Sequence, residues 1–155
     1  GAGDLAARLD AFDYEPISTC YLQYDEALRL PLPFCALLED PAARRFGQFV
    51  FDRGQLGGPP GLMAWVVSAS SEERETVQAK VLQQAQDQLG LRLQAVQTVV
   101  EKRATFACTP QLQRPGPQVA ERVWACGDYL AGPYPATLEG AVRSGRLAIE
   151  GLLQA

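Results

Sequence analysis

Residues 62–69 read Leu-Met-Ala-Trp-Val-Val-Ser-Ala, apolar on both faces of an extended chain. A strand with one wet face alternates apolar with polar side chains, so a run without alternation predicts a central strand covered on both sides. The flanking residues sharpen this reading. Gly57-Gly58-Pro59-Pro60-Gly61 ahead of the run is turn chemistry. Ser70, followed three residues later by Glu73, is a capping-box pattern that predicts a helix over 71–89. Val77, Val81, Ala85 and Leu89 share one stripe of that helix, and Gly90 stands where it should stop. A strand and a helix of this kind bury their apolar faces in a layered α+β structure, a mixed sheet with flanking helices.

The remaining chain supplies partners for that strand. Leu5, Leu9 and Phe12, at i, i+4 and i+7, predict a short opening helix ended by Tyr14-Glu15-Pro16. Residues 17–25 alternate in the manner of a strand, and further strands are predicted over 46–53 and 95–102. Leu30-Pro31-Leu32-Pro33 denies regular structure and reads as an extended connector. Pro115 and Pro117 mark residues 111–118 as a loop. The shift in composition there predicts a boundary between residues 1–112 and 113–155. The second piece holds a short apolar strand, Val123-Trp124-Ala125-Cys126, a Gly-Pro-rich loop and a helix over 136–153. It is too small to fold as a domain alone.

Composition removes several kinds of chemistry. Among 155 residues there is no histidine, which excludes Ser-His and Cys-His catalysis and imidazole metal ligation. Cys20, Cys35, Cys108 and Cys126 fall in no CxxC or zinc-like spacing, so no metal site is expected. Cys20, Cys108 and Cys126 are expected to be buried free thiols in a reducing compartment. A net charge of −4 offers nucleic acid no basic surface. No apolar run reaches the length of a membrane span and no signal-peptide pattern opens the chain, so a cytoplasmic protein is expected. Catalysis would then come from a borrowed cofactor or from carboxylates, and no catalytic side chain is assigned.

The tail is where a cofactor could sit. A strand leads into Gly127-Asp128, then a loop, then the start of a helix. Strand exits that feed helix starts hold anionic cofactors, because free N–H groups and the helix dipole favour negative charge there. The residues alone leave Gly127-Asp128 either a plain turn or an acceptor for a ribose-like hydroxyl.

Gly127-Asp128, then Tyr134-Pro135-Ala136-Thr137-Leu138-Glu139-Gly140-Ala141-Val142 and Ser144-Gly145, resembles the C-terminal FAD motif of the flavin amine oxidase/phytoene desaturase superfamily. The longer run from Ala131 to Gly145 is most similar to its squalene-associated desaturase branch. Tyr14-Glu15-Pro16-Ile17, Tyr21-Leu22-Gln23-Tyr24, residues 48–53 and residues 100–106 extend the resemblance over nearly the whole chain. The resemblance implies a substrate-binding α+β region followed by the last strand and helix of an FAD-binding domain. By position, Asp128 resembles the acid that binds a ribityl hydroxyl of FAD, and Gly127 the glycine that lets backbone approach it. Ala136, Thr137 and Leu138 would lie at the helix start beneath the flavin.

That family opens with a strand and a G-x-G-x-x-G turn for the ADP pyrophosphate, and these residues contain no such unit. A fragment lacking the N-terminal Rossmann part is therefore expected, inactive alone and unable to retain FAD. The implied function of the parent is an FAD-dependent oxidoreductase acting on a squalene-type isoprenoid, by hydroxysqualene dehydroxylation or desaturation in hopanoid synthesis. A flavin amine oxidase, or a free-standing α+β binding or dimerisation module, are the alternatives. The implied partner is an isoprenoid lipid, with peripheral membrane contact. Phe46, Phe49, Phe51, Met63 and Trp65 are read either as lining for its pocket or as ordinary core. Leu138, Val142, Ile149, Leu152 and Leu153 give the last helix an apolar face, expected to fold back on the sheet or to pair in a homodimer.

Overall fold

The computed structural model describes residues 2–40 and 42–154. Its elements run α1 (Ala2–Asp10), β1 (Tyr14–Gln23), β2 (Phe34–Ala36), β3 (Phe49–Asp52), β4 (Leu62–Ser68), α2 (Arg74–Leu89), β5 (Gln94–Phe106), β6 (Gln118–Ala120), β7 (Val123–Trp124) and α3 (Leu138–Gln154). Five strands form one sheet in the order β2-β3-β4-β1-β5, and β6 pairs with β7 separately. The chain divides into two compact units, Glu15–Ala104 and Gly1–Tyr14 with Thr105–Ala155. The class is α+β.

In the first unit the apolar run of β4 takes the central place that its composition demands, antiparallel to β1 on one side and β3 on the other. Cys20 faces Trp65 and Leu22 faces Met63 across β1 and β4, while Val50 of β3 meets Trp65 from the other edge. These side chains project to one face of the sheet and pack with Val77, Val81 and Ala85 of α2 in a single buried cluster. The helical stripe and the strand pattern thus close on each other. Met63 and Trp65 are fully buried there, which makes them core rather than pocket lining.

The opposite face carries the alternate residues. Phe34 of β2 lies 5.0 Å from Phe51 and 5.5 Å from Phe49, ring centre to ring centre. Phe34 and Phe49 remain exposed. Phe46 packs against the α2 side of the sheet instead.

Two buried polar groups organise this unit. Asp52, at the end of β3, is fully buried. It accepts from the Tyr24 hydroxyl at 2.6 Å, the Gln55 side chain at 2.7 Å, and the Leu30 and Gln55 amides at 3.2 and 3.3 Å. Burial raises the pKa of this carboxyl, but the donors from Gln55, Tyr24 and Leu30 outweigh it and hold the group below its ordinary value. The other is Gln84 of α2. Its amide accepts from Gly47 N and donates to Gly47 O, both at 2.9 Å. The side chain replaces a neighbouring strand at Gly47, so β3 begins at Phe49 rather than at residue 46 as expected.

Other expectations need correction. Ser70 and Glu73 form no capping box: the Ser70 hydroxyl accepts from Glu72 N at 3.3 Å, Glu73 is the N-cap without a side-chain bond, and α2 begins at Arg74. Gly90 does end the helix, at φ 67°. Strand β5 runs past the expected 95–102 to Gln94–Phe106. Of the cysteines, Cys20 alone is buried, whereas Cys108 and Cys126 are exposed. Cys20 lies in the sheet core, while the other two stand in the exposed chain just beyond β5 and β7.

Candidate functional site

The second unit builds its site on the β6–β7 hairpin. Val123-Trp124 pairs antiparallel with Gln118–Ala120, so the apolar run forms only two residues of strand and not four. The Trp124 ring comes up against Gly151 of α3, where any β-carbon would overlap it. Arg114, in the proline-rich loop, donates to Leu130 O at 2.6 Å and also to Gly132 O. Ala131 N reaches Pro115 O at 2.8 Å. The Gly-Pro-rich loop is thereby tied at its middle, with Leu130 buried.

Gly127 and Asp128 follow directly from this hairpin. Gly127 has φ 157°, and a β-carbon on it would strike the Tyr129 ring. Its N–H donates to the Ser144 hydroxyl at 2.8 Å, and that hydroxyl lies 3.0 Å from Gly127 O and 2.7 Å from Ala141 O. Ser144 is buried on the inner face of α3, beside Ala148. Asp128 is half-buried, and among the described residues no side chain or amide donates to its carboxylate. Burial and the neighbouring charges of Cys126 and Asp128 raise the Tyr129 phenol.

The helix start is built by the residues around Ala136. Ala136 takes φ 55°, a left-handed conformation costly for a residue with a β-carbon, and its N–H reaches Asp128 O at 3.3 Å. This bend halts the helix two residues later than the expected start at 136. Thr137 is the cap: its hydroxyl donates to Tyr134 O at 2.9 Å and accepts from Gly140 N at 3.0 Å. Gly140 is required because Tyr134 O lies where its β-carbon would be. The amides of Leu138 and Glu139 have no hydrogen-bond acceptor among the described residues. Leu138 is 88% exposed, so this helix start is open. Glu139 instead pairs with Arg143 one turn along, and the Arg143 guanidinium sits 4.7 Å from the centre of the Tyr134 ring.

The loop that follows β7 carries Gly127 and Asp128 and returns to Asp128 O through the Ala136 N–H, and the cap at Thr137 and the exposed Leu138 come directly after. What the loop leaves without a partner among the described residues is the Asp128 carboxylate and the amides of Leu138 and Glu139. Ser144 and Arg114 escaped sequence reasoning as parts of the site. Ser144 carried a signal, the Ser-Gly of the motif. Arg114 carried none, since a cation in a loop is ordinarily solvated.

A carboxylate acceptor and an open helix start on one glycine-dependent loop are groups that can meet the hydroxyls and electron-rich atoms of a bound cofactor. The family described as Flavin containing amine oxidoreductase matches residues 3–152, and this chain belongs to it. Within 57 residues the chain is 46% identical to the hydroxysqualene dehydroxylase of Sinorhizobium fredii, a stretch covering 35% of this chain and 14% of that protein. A 62-residue stretch is 47% identical to the hydroxysqualene dehydroxylase of Rhodopseudomonas palustris, covering 38% of this chain and 15% of that one. The matched stretches are therefore a small part of either relative.

Proposed function

We propose that this chain is part of an FAD-dependent oxidoreductase acting on a squalene-type isoprenoid, with reductive loss of a hydroxyl from hydroxysqualene as the reaction. Family membership and the names of the two relatives support this reading. The observation that carries it is one loop that holds a donor-free Asp128 carboxylate, is tied back to Asp128 O by Ala136 N, and ends on the unbonded Leu138 and Glu139 amides. These groups fit a flavin dinucleotide, which offers ribityl hydroxyls as donors and an electron-rich ring edge as acceptor. Asp128 accepts a ribityl hydroxyl, Gly127 keeps side-chain bulk away, and Ala136, Thr137 and Leu138 present the positive end of α3. The bound flavin supplies the redox chemistry. The chain's own part is to bind, orient and exclude water.

The half-exposed ring cluster of Phe34, Phe49 and Phe51 supports an isoprenoid substrate, since an apolar polyene chain buries well against aromatic faces. None of the described helices is long and apolar enough to cross a membrane. A substrate this apolar resides in lipid, so peripheral contact with the cytoplasmic face of the membrane goes with the proposal. Asp128→Ala in the full-length apoprotein is expected to weaken FAD about five- to 150-fold, the worth of one hydrogen bond to a charged acceptor. An unchanged affinity on titration would reduce Asp128 to a turn residue. Product analysis with hydroxysqualene and reduced FAD tests the substrate: recovery of unreacted alcohol alone would overturn that part.

A further inference from the structure

The Ser144 hydroxyl is the best-connected side chain around the loop, and all of its partners are backbone groups of Gly127 and Ala141. It takes the Gly127 N–H at 2.8 Å and stands within bonding distance of Gly127 O, at 3.0 Å, and Ala141 O, at 2.7 Å. With one proton it donates to only one of these carbonyls at a time, and its lone pairs serve the amide. A single buried hydroxyl thus spans both polar groups of the residue that precedes Asp128. The other end of the loop is held separately, by Ala136 N on Asp128 O and by the Thr137 cap. Nothing else among the described residues fixes the Gly127 amide to α3.

We infer that Ser144 is a positioning residue for the cofactor: by clamping the Gly127 peptide to the second turn of α3, it sets the distance between the Asp128 carboxylate and the free amides at the helix start. This rests on the FAD reading given above. Two groups on different elements bind one ligand well only if their separation is held in advance, since any slack must be lost on binding. A hinge at Gly127 would supply such slack, because glycine is the residue least confined by its own backbone. The clamp removes it without contacting the ligand.

The test is a double-mutant cycle in the full-length apoprotein, with FAD affinity read by titration and exchange of the Gly127 amide followed in parallel. Alanine is a better helix former than serine, so Ser144→Ala leaves α3 itself intact. Ser144→Ala is expected to weaken FAD about five- to thirty-fold and to speed Gly127 exchange. Asp128→Ala is expected to weaken FAD without changing that exchange. The double variant is expected to lose little more than the worse single one, because the clamp acts through Asp128. Ser144→Thr, which keeps the hydroxyl, should return most of the affinity. Losses that simply add, or an unchanged affinity in Ser144→Ala while Asp128→Ala is weakened, would overturn the positioning role. An unchanged affinity in Asp128→Ala would instead remove the FAD reading, and this inference with it.

Discussion

At Asp52 four donors converge on a carboxylate that has no contact with water. An ion is costly to bury, and only this number of donors keeps it charged. Replacing it with alanine orphans the Tyr24 hydroxyl and the Leu30 amide together, and the expected loss is roughly 2–4 kcal/mol, read by urea unfolding. The sign of its pH dependence follows from the lowered pKa. The group binds a proton more readily in the unfolded chain, so its stabilisation is complete above about pH 4 and fades as pH falls through the folded value. The gap in stability between the natural chain and Asp52→Asn should therefore hold above about pH 4 and narrow as pH is lowered below it. A gap that stays constant would mean that this carboxyl has the same pKa in the folded and the unfolded chain, and a gap that widens as pH falls would mean that it is protonated in the fold. Gly140 shows the same kind of constraint in a backbone. Gly140→Ala forces Tyr134 O away from the start of α3, with an expected cost of about 1–3 kcal/mol in thermal unfolding.

Helices α2 and α3 are held in opposite ways. Helix α2 meets the sheet through Val77, Val81 and Ala85 and ends on Gly90, whose left-handed φ any other residue adopts at a cost. Open space surrounds Gly90, so Gly90→Ala is expected to cost only the backbone strain, about 1 kcal/mol. A larger loss would point to a packing role that the structure does not contain. Helix α3 uses its small residues, Gly140, Ser144, Ala148 and Gly151, as its inner face. Its large apolar residues, Leu138, Val142, Ile149, Leu152 and Leu153, all stay exposed. At about 25 cal/mol for each Å² kept in water, such a stripe favours any available cover. We expect the isolated chain to pair through it as a homodimer. Light scattering of Val142→Glu should then report a monomer where the natural chain reports a dimer, and a monomer in both would end that expectation.

Across the whole chain, the two units share the work unevenly. Glu15–Ala104 holds the large buried cluster, while the acceptor and free amides belong to the other unit. No G-x-G-x-x-G turn lies among the 155 residues, so few groups here can hold the phosphates of a dinucleotide. One carboxylate and one helix end fall well short of the roughly 8 kcal/mol that micromolar binding needs. The purified chain alone is expected to be colourless, and a flavin spectrum near one equivalent would contradict this.

The central strand, the helix that covers it, the glycine that ends that helix and the tail motif were all legible in the linear order of residues. Each is a local pattern: periodicity states which faces are apolar, and a glycine at a forced φ or a close approach has few substitutes. The short strands β2 and β6 were not legible, because three residues beside prolines carry no periodicity of their own and exist only where a neighbour pairs with them. The capping box failed for a related reason. Ser70 turned to Glu72 in the chain's path out of β4, and the helix began where that path allowed. Ser144 is the clearest case of this division. Its letter belonged to the motif, but a hydroxyl bonds to whatever the fold brings within about 3 Å, and it was the docking of α3 against β7 that brought Gly127 there.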